Sequence, residues 1–246
     1  MKVIRFELEG LLNSFRIPFF RTYHKTFLAP PKTTVVGMLC NISLKPQEKF
    51  FEILDKELID VSVVIDEISG KTKDLWSYKT LKKGNMGKSV IRRDKLFLSK
   101  YTVYVYIKEQ ILFDNIFESL KNPKNTPSLG LDDELVIIKN VKDVSEDIKL
   151  NDTNKINSVF LNKGYTYKAF IKEINQPIEL PTPNLIPIKF IAFDKKGNRI
   201  SKEVVEEYPQ IEYINCNMQI DGVVSYMDVE NNNRLVFYGW LFGLKS

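Results

Sequence analysis

Between Val3 and Glu9 apolar and polar residues alternate, which predicts a first strand ending at Gly10. A basic, aromatic stretch follows as far as Lys32. Val35, Met38, Leu39 and Ile42 then recur at helical spacing, and Thr33 or Thr34 is placed to cap that helix. Pro46 opens a second helical piece carrying Phe50, Phe51, Leu54 and Leu58. Ile59–Ile65 is β-branched and alternating and reads as the second strand, with Tyr101–Ile107 as the third. Leu112–Leu120 has helical spacing, and Leu135–Ile138 supplies a fourth strand.

The order β, α, β, β, α, β predicts an α+β, ferredoxin-like (RRM-type) domain over residues 1–145. A β-rich C-terminal subdomain is expected over 146–246. Its strands are read at Tyr165–Lys172, Ile188–Phe193, Glu212–Ile220, Val223–Val229 and Arg234–Trp240, the last two joined by a turn at Asn231–Asn233. Four prolines make Gln176–Pro187 an extended connection.

The link between the second and third strands is far longer than a hairpin turn requires. Leu75–Lys83 and Lys88–Leu98 read as two arms joined at Gly84-Asn85-Met86-Gly87, and neither arm has a cleanly apolar face. A hairpin of this kind projects from the body as a thumb, at about residues 71–100.

Charge sharpens that picture. Residues 71–100 hold ten Lys or Arg against two Asp, a local charge of +8, so the rest of the 246-residue chain carries −3 of the net +5. Concentrated cation beside Trp76 and Tyr78 suits a single-stranded backbone held by charge and stacking. A solvated, lysine-rich loop is the competing reading.

A hydrophobic fraction of 43% is enough for a packed core. Cys40 and Cys216 are far apart, without zinc or disulfide spacing, and read as buried free thiols. The chain opens directly on a strand pattern and has no apolar run near the ~20 residues a membrane span needs. A cytoplasmic setting without membrane association is expected.

Several chemistries are excluded. Gly84–Ser89 imitates the end of a P-loop, but Lys82 stands where its first glycine belongs, and no buried strand precedes it. The acidic pairs Asp66-Glu67, Asp132-Asp133-Glu134 and Glu206-Glu207 lack histidine partners, so neither a metal nor a cofactor is expected. Tyr23, His24 and Lys25 are the residue types that metal-free RNA cleavage uses, yet consecutive residues of an extended loop do not converge on one atom. Binding without catalysis is favoured, with a metal-independent endoribonuclease as the alternative. Pro30–Gly37 places Lys32, two hydroxyls and the free N–H groups of a helix start together, which suits a phosphate. The same residues also fit a packed loop-to-helix corner in which Gly37 serves helix–sheet contact.

Phe15-Arg16-Ile17-Pro18, Pro30-Pro31-Lys32-Thr33-Thr34-Val35-Val36-Gly37-Met38-Leu39, Val90–Leu96 and Pro127–Leu135 together resemble the fifth CRISPR-associated protein family of the RAMP superfamily. The similarity covers about residues 3–140 and is greatest to type I-B members. It implies a Cascade subunit that caps the 5′ handle of the CRISPR RNA, beside the backbone and large subunits, and meets target DNA only through the complex. Arg16, Arg21, Lys32, Thr33 and Thr34 would hold handle phosphates, and Lys88, Arg92 and Arg93 would line the thumb. With Tyr23, His24, Lys25, Trp76, Lys82, Lys83 and Lys95 they form the expected RNA-binding set. One branch, type I-C, cuts precursor RNA with a Tyr, a Lys and an adjacent His, but no histidine follows His24 here.

Overall fold

The alternation that begins at Val3 runs past Gly10 and gives β1 (Val3–Asn13). Gly10 does not stop the strand because it makes room inside it. A Cβ there would lie 1.7 Å from Asn13 Oδ1, and buried Asn13 needs that space to accept from Ser99 Oγ (3.1 Å) and donate to Leu129 O (2.8 Å). The computed structural model describes residues 1–17, 23–82, 85–170, 187–193, 199–204, 211–214 and 217–238. Arg21, Lys83, Gly84, Cys216 and residues 176–186 of the proline-rich connection lie outside them, as do the side chains of residues 80–86.

After a two-residue strand β2 (Tyr23–His24) come α1 (Lys32–Ile42) and α2 (Gln47–Asp55). Pro31, not Thr33 or Thr34, occupies the N-cap of α1, and no side chain caps it. Proline starts this helix well because its fixed φ suits the entry and its missing N–H is no loss there. Both threonines therefore fall in the first turn, with their hydroxyls released from capping.

β3 (Ile59–Lys82) and β4 (Asn85–Ile107) are 24 and 23 residues long and pair antiparallel from Ile59–Ile107 to Lys82–Asn85. The predicted second strand, hairpin arms and third strand are thus two continuous strands. Asn85, Met86 and Gly87, expected in the turn, belong to β4 and pair with Lys82, Leu81 and Thr80.

α3 (Gln110–Lys121) and β5 (Val136–Asp143) complete a sheet in the order β3-β4-β1-β5, all neighbours antiparallel. Ile4, Phe6, Leu8, Val61, Val63, Val103 and Val105 on one face pack with Val35, Leu39, Ile53 and Leu112 of the helices in a single apolar cluster.

The remaining named elements are all strands: β6 (Ile148–Leu150), β7 (Lys155–Ile156), β8 (Phe160–Lys163), β9 (Tyr167–Phe170), β10 (Pro187–Phe193), β11 (Arg199–Val204), β12 (Ile211–Ile214), β13 (Asn217–Ile220), β14 (Tyr226–Asp228) and β15 (Asn233–Leu235). β6, β7 and β8 are too short and polar to read from alternation. The predicted Glu212–Ile220 strand divides into β12 and β13, and Asn232 takes φ +55° in the turn before β15. Phe160, Ile214, Met218 and Val236 join the same apolar cluster as the N-terminal sheet. On the sheet's other face Asp228 is fully buried and accepts from Arg5 Nη1 (2.7 Å) and Tyr104 Oη (2.8 Å).

Candidate nucleic-acid interface

β1 leaves the sheet after Asn13, and the chain doubles back on itself. Phe27 N donates to Phe15 O (2.8 Å) and Ile17 N to Lys25 O (2.9 Å). Thr26 Oγ1 braces the fold by accepting from Phe15 N at 2.7 Å. β2 then takes the edge of β4 that β1 has vacated, pairing parallel as Tyr23–Arg92 and His24–Arg93. This short pairing joins the aromatic loop to the base of the hairpin, 69 positions apart in sequence for each pair.

A cavity of about 250 Å³ opens where these segments meet the start of α1. Arg16, His24, Lys25, Thr33, Thr34 and Arg93 line it, and Ser14, Asp94 and Gly130 contribute to its wall. Pro31 O accepts from Thr34 N (3.0 Å) and Val35 N (3.2 Å), which leaves the two earlier N–H groups outside the helical ladder. Three permanent cations and a helix N-terminus therefore face one hollow, an arrangement that attracts anions.

Arg93 is buried, and its guanidinium lies 3.5 Å above the centroid of the half-exposed Trp76 ring. Arg92, exposed on the other face, stands 4.6 Å from the centroid of Tyr23. Tyr23 Oη donates to Asp94, and that bond, with burial, raises the phenol above its ordinary range. Burial, then Arg16 and Arg93, hold the His24 imidazole below its usual pKa, so it is neutral at pH 7.

The expected residues divide accordingly. Arg16, His24, Lys25, Thr33, Thr34 and Arg93 come together, with Tyr23, Trp76 and Arg92 beside them. Lys32 does not contribute its charge to the cavity. It is buried, with its ammonium 3.4 Å from Asp60, because the first turn of α1 directs it into the protein. Lys95 is likewise held inside, 3.5 Å from Glu134 and 3.7 Å from Asp74. Lys88 is exposed further along the hairpin, and Lys82 is described in its backbone only.

Asp94, Ser14 and Glu134 were not legible as parts of this site. Glu134 is buried and accepts from Ser14 N (2.7 Å), Ser14 Oγ (2.6 Å) and Leu131 N (3.1 Å), tying the end of β1 to the 129–134 loop. Gly37, in contrast, serves no close contact. A Cβ there would meet only Phe50 Cε2 at 3.9 Å.

The cavity and both its flanking segments fall inside one region of family similarity. Residues 3–160 match the family model described as CRISPR-associated protein (Cas_Cas5). The chain belongs to this family. Two solved structures share its fold over nearly the full length. One is titled "CRISPR RNA-guided surveillance complex", with a TM-score of 0.51 at 14% identity, covering 94% of this chain and 97% of that one. The other, "Crystal structure of a CRISPR protein from Archaeoglobus fulgidus", has a TM-score of 0.52 at 13% identity and covers 96% and 98%. A third, "Crystal structure of Cas protein", aligns at 18% identity and a TM-score of 0.38 over 54% of this chain and 58% of its own. No curated protein matches the sequence.

Among the described residues no three His, Cys, Asp or Glu side chains are grouped to hold a metal ion. No helix among them is long and apolar enough to cross a membrane.

Proposed function

We propose that the protein is a non-catalytic, CRISPR RNA-binding subunit of a type I-B Cascade complex that caps the 5′ handle of the guide. The observation that carries this reading is the convergence of Arg16, Lys25, Arg93 and the α1 N-terminus on one hollow beside Trp76. Cations fix phosphates, and an exposed indole offers a stacking face for a base. The sheet order β3-β4-β1-β5 supports a ferredoxin-like core, and the β3–β4 hairpin is its thumb. Family membership supports the CRISPR context, and the likeness to a CRISPR RNA-guided surveillance complex supports a place in such an assembly, where the backbone and large subunits are the proposed neighbours.

Binding of full-length protein to single-stranded repeat RNA tests the reading. Affinity should fall steeply with salt, and the slope should flatten in Arg93→Ala. Salt-insensitive binding, or no binding even with the partner subunits present, overturns it.

One observation favours the endoribonuclease alternative: His24 lines the cavity as a neutral imidazole, the form a general base needs. Tyr23 Oη, however, is engaged with Asp94. Precursor repeat RNA incubated with the protein in EDTA should stay intact. Cleavage lost in His24→Ala would establish the enzyme instead.

A further inference from the structure

A second hollow, of about 510 Å³, runs on from the cationic one. The two share Thr33, Thr34 and Gly130, so they form one groove crossing the first turns of α1. Their chemistry differs. Beyond the threonines the groove is lined by Gly37, Asn41, Ser128 and Asp132, with no cation among its lining residues. A carboxylate without a cation disfavours a phosphate, whereas hydroxyls and a carboxylate suit neutral hydroxyl groups; the Asn41 amide is already engaged, donating to Thr126 O (3.1 Å) and accepting from Asn125 Nδ2 (2.8 Å).

Gly37 is the second observation. Glycine inside a helix costs about 1 kcal/mol relative to alanine. Packing gives no reason for it here, since an added Cβ would only reach ordinary contact with Phe50 at 3.9 Å. Gly37 lines this groove without a side chain of its own. Breaks of a local rule without a structural gain concentrate at functional sites.

We infer that this second compartment holds the ribose edge of the nucleotide next to the one whose phosphate sits in the cationic hollow, reading the 2′-hydroxyl. Thr34 and Ser128 supply hydroxyls that can donate or accept, Asp132 accepts, and Gly37 lets the sugar lie against the helix. The 2′-hydroxyl is the group by which a protein tells RNA from DNA. The inference rests on the RNA-binding reading above.

The test is RNA binding by Gly37→Ala and Ser128→Ala, with repeat RNAs carrying a single 2′-deoxy substitution at each handle position in turn. Gly37→Ala should melt at a higher temperature than the parent yet bind RNA about tenfold more weakly. One 2′-deoxy position should weaken binding about three- to tenfold, the worth of a neutral hydrogen bond. That deoxy effect should disappear in Ser128→Ala. If the parent protein binds RNA with the expected salt dependence but Gly37→Ala binds equally well and no deoxy position matters, the ribose site is wrong and the RNA-binding reading stands. If the parent binds no RNA, the underlying reading fails, and the ribose site with it.

Discussion

The guanidinium of Arg93 lies 3.5 Å above the ring centroid of Trp76, across the two strands of the hairpin. Leu75 pairs with Arg92 and Asp74 with Arg93, so Trp76 is displaced along β3 and Arg93 reaches over to it. Its Nε is buried without a hydrogen-bond partner. The stack thus holds a cation at the cavity wall while leaving one donor unsatisfied. A guide strand would satisfy that donor and compete for the indole face. Arg93→Ala should weaken RNA binding and reduce the logarithmic salt slope by about 0.7, the value of one single-strand phosphate contact. Arg93→Lys should recover the salt slope but not the full affinity, because an ammonium cannot stack as a planar guanidinium does. RNA addition should change tryptophan fluorescence, and Trp76→Phe should abolish that change.

Gly130 has a different role from Gly37. Its φ is +114°, and a Cβ would lie 2.5 Å from Ser14 O and 2.2 Å from Glu134 Oε2. Neither the backbone nor buried Glu134, which already accepts three hydrogen bonds, can give way cheaply. Gly130→Ala should therefore destabilise the protein by about 1–3 kcal/mol, as strain of this kind does. It should also weaken RNA binding, since Gly130 lines both parts of the groove. Gly70→Ala is the control, as nothing lies within 4 Å of a Cβ there. Thermal melts of the two variants separate a conformational requirement from a general intolerance of alanine.

Buried charge joins the two ends of the chain. Asp228 accepts from Arg5 Nη1 at 2.7 Å and Tyr104 Oη at 2.8 Å, while Arg5 Nη2 also reaches Glu230 at 2.8 Å. Asp228→Ala leaves a buried guanidinium without its main counter-charge. Urea denaturation should show a loss of about 3–5 kcal/mol, the usual consequence of breaking a buried pair from one side. Replacing Arg5 and Asp228 together by apolar residues of similar size should cost less than Asp228→Ala alone.

Local patterns in the sequence revealed the central elements because each wrote its burial into spacing. Ile4, Phe6 and Leu8 alternate along one sheet face, and Val35, Leu39 and Ile42 return every helical turn. β2 had no such signal: two residues held by pairing with β4 obey a partner 69 positions away, not their neighbours. The inward turn of Lys32 was equally hidden, because a lysine after two prolines reads as solvent-facing until Asp60 is placed opposite it. Arg16, His24, Lys25, Thr33 and Thr34 could be grouped because they all fall in the one segment, 16–34, that leads from β1 into α1. Asp94 was not, because an acid following two arginines looks like local charge balance. Glu134 was hidden for a related reason, as its surroundings in an acidic run suggest a solvated face.

His24 gives a further test, because it is the chain's single histidine and its titration is read without overlap. Burial and the nearby Arg16 and Arg93 hold its pKa below the ordinary 6.5. In the unfolded chain the imidazole therefore takes its proton at a higher pH than in the native protein. As pH falls below 6.5 the unfolded state binds more protons, and this residue makes the fold less stable. A phosphate in the same cavity reverses the local field and favours the imidazolium. RNA binding should then take up a proton at His24, so affinity should rise as pH is lowered from 7.5 toward 5.5 at fixed ionic strength. NMR should place the free imidazole's midpoint below 6.5 and move it upward when repeat RNA is added. His24→Gln should flatten the pH dependence of binding while leaving its salt dependence in place. A midpoint that RNA leaves unchanged would mean that the phosphate sits elsewhere than beside Arg16 and Arg93.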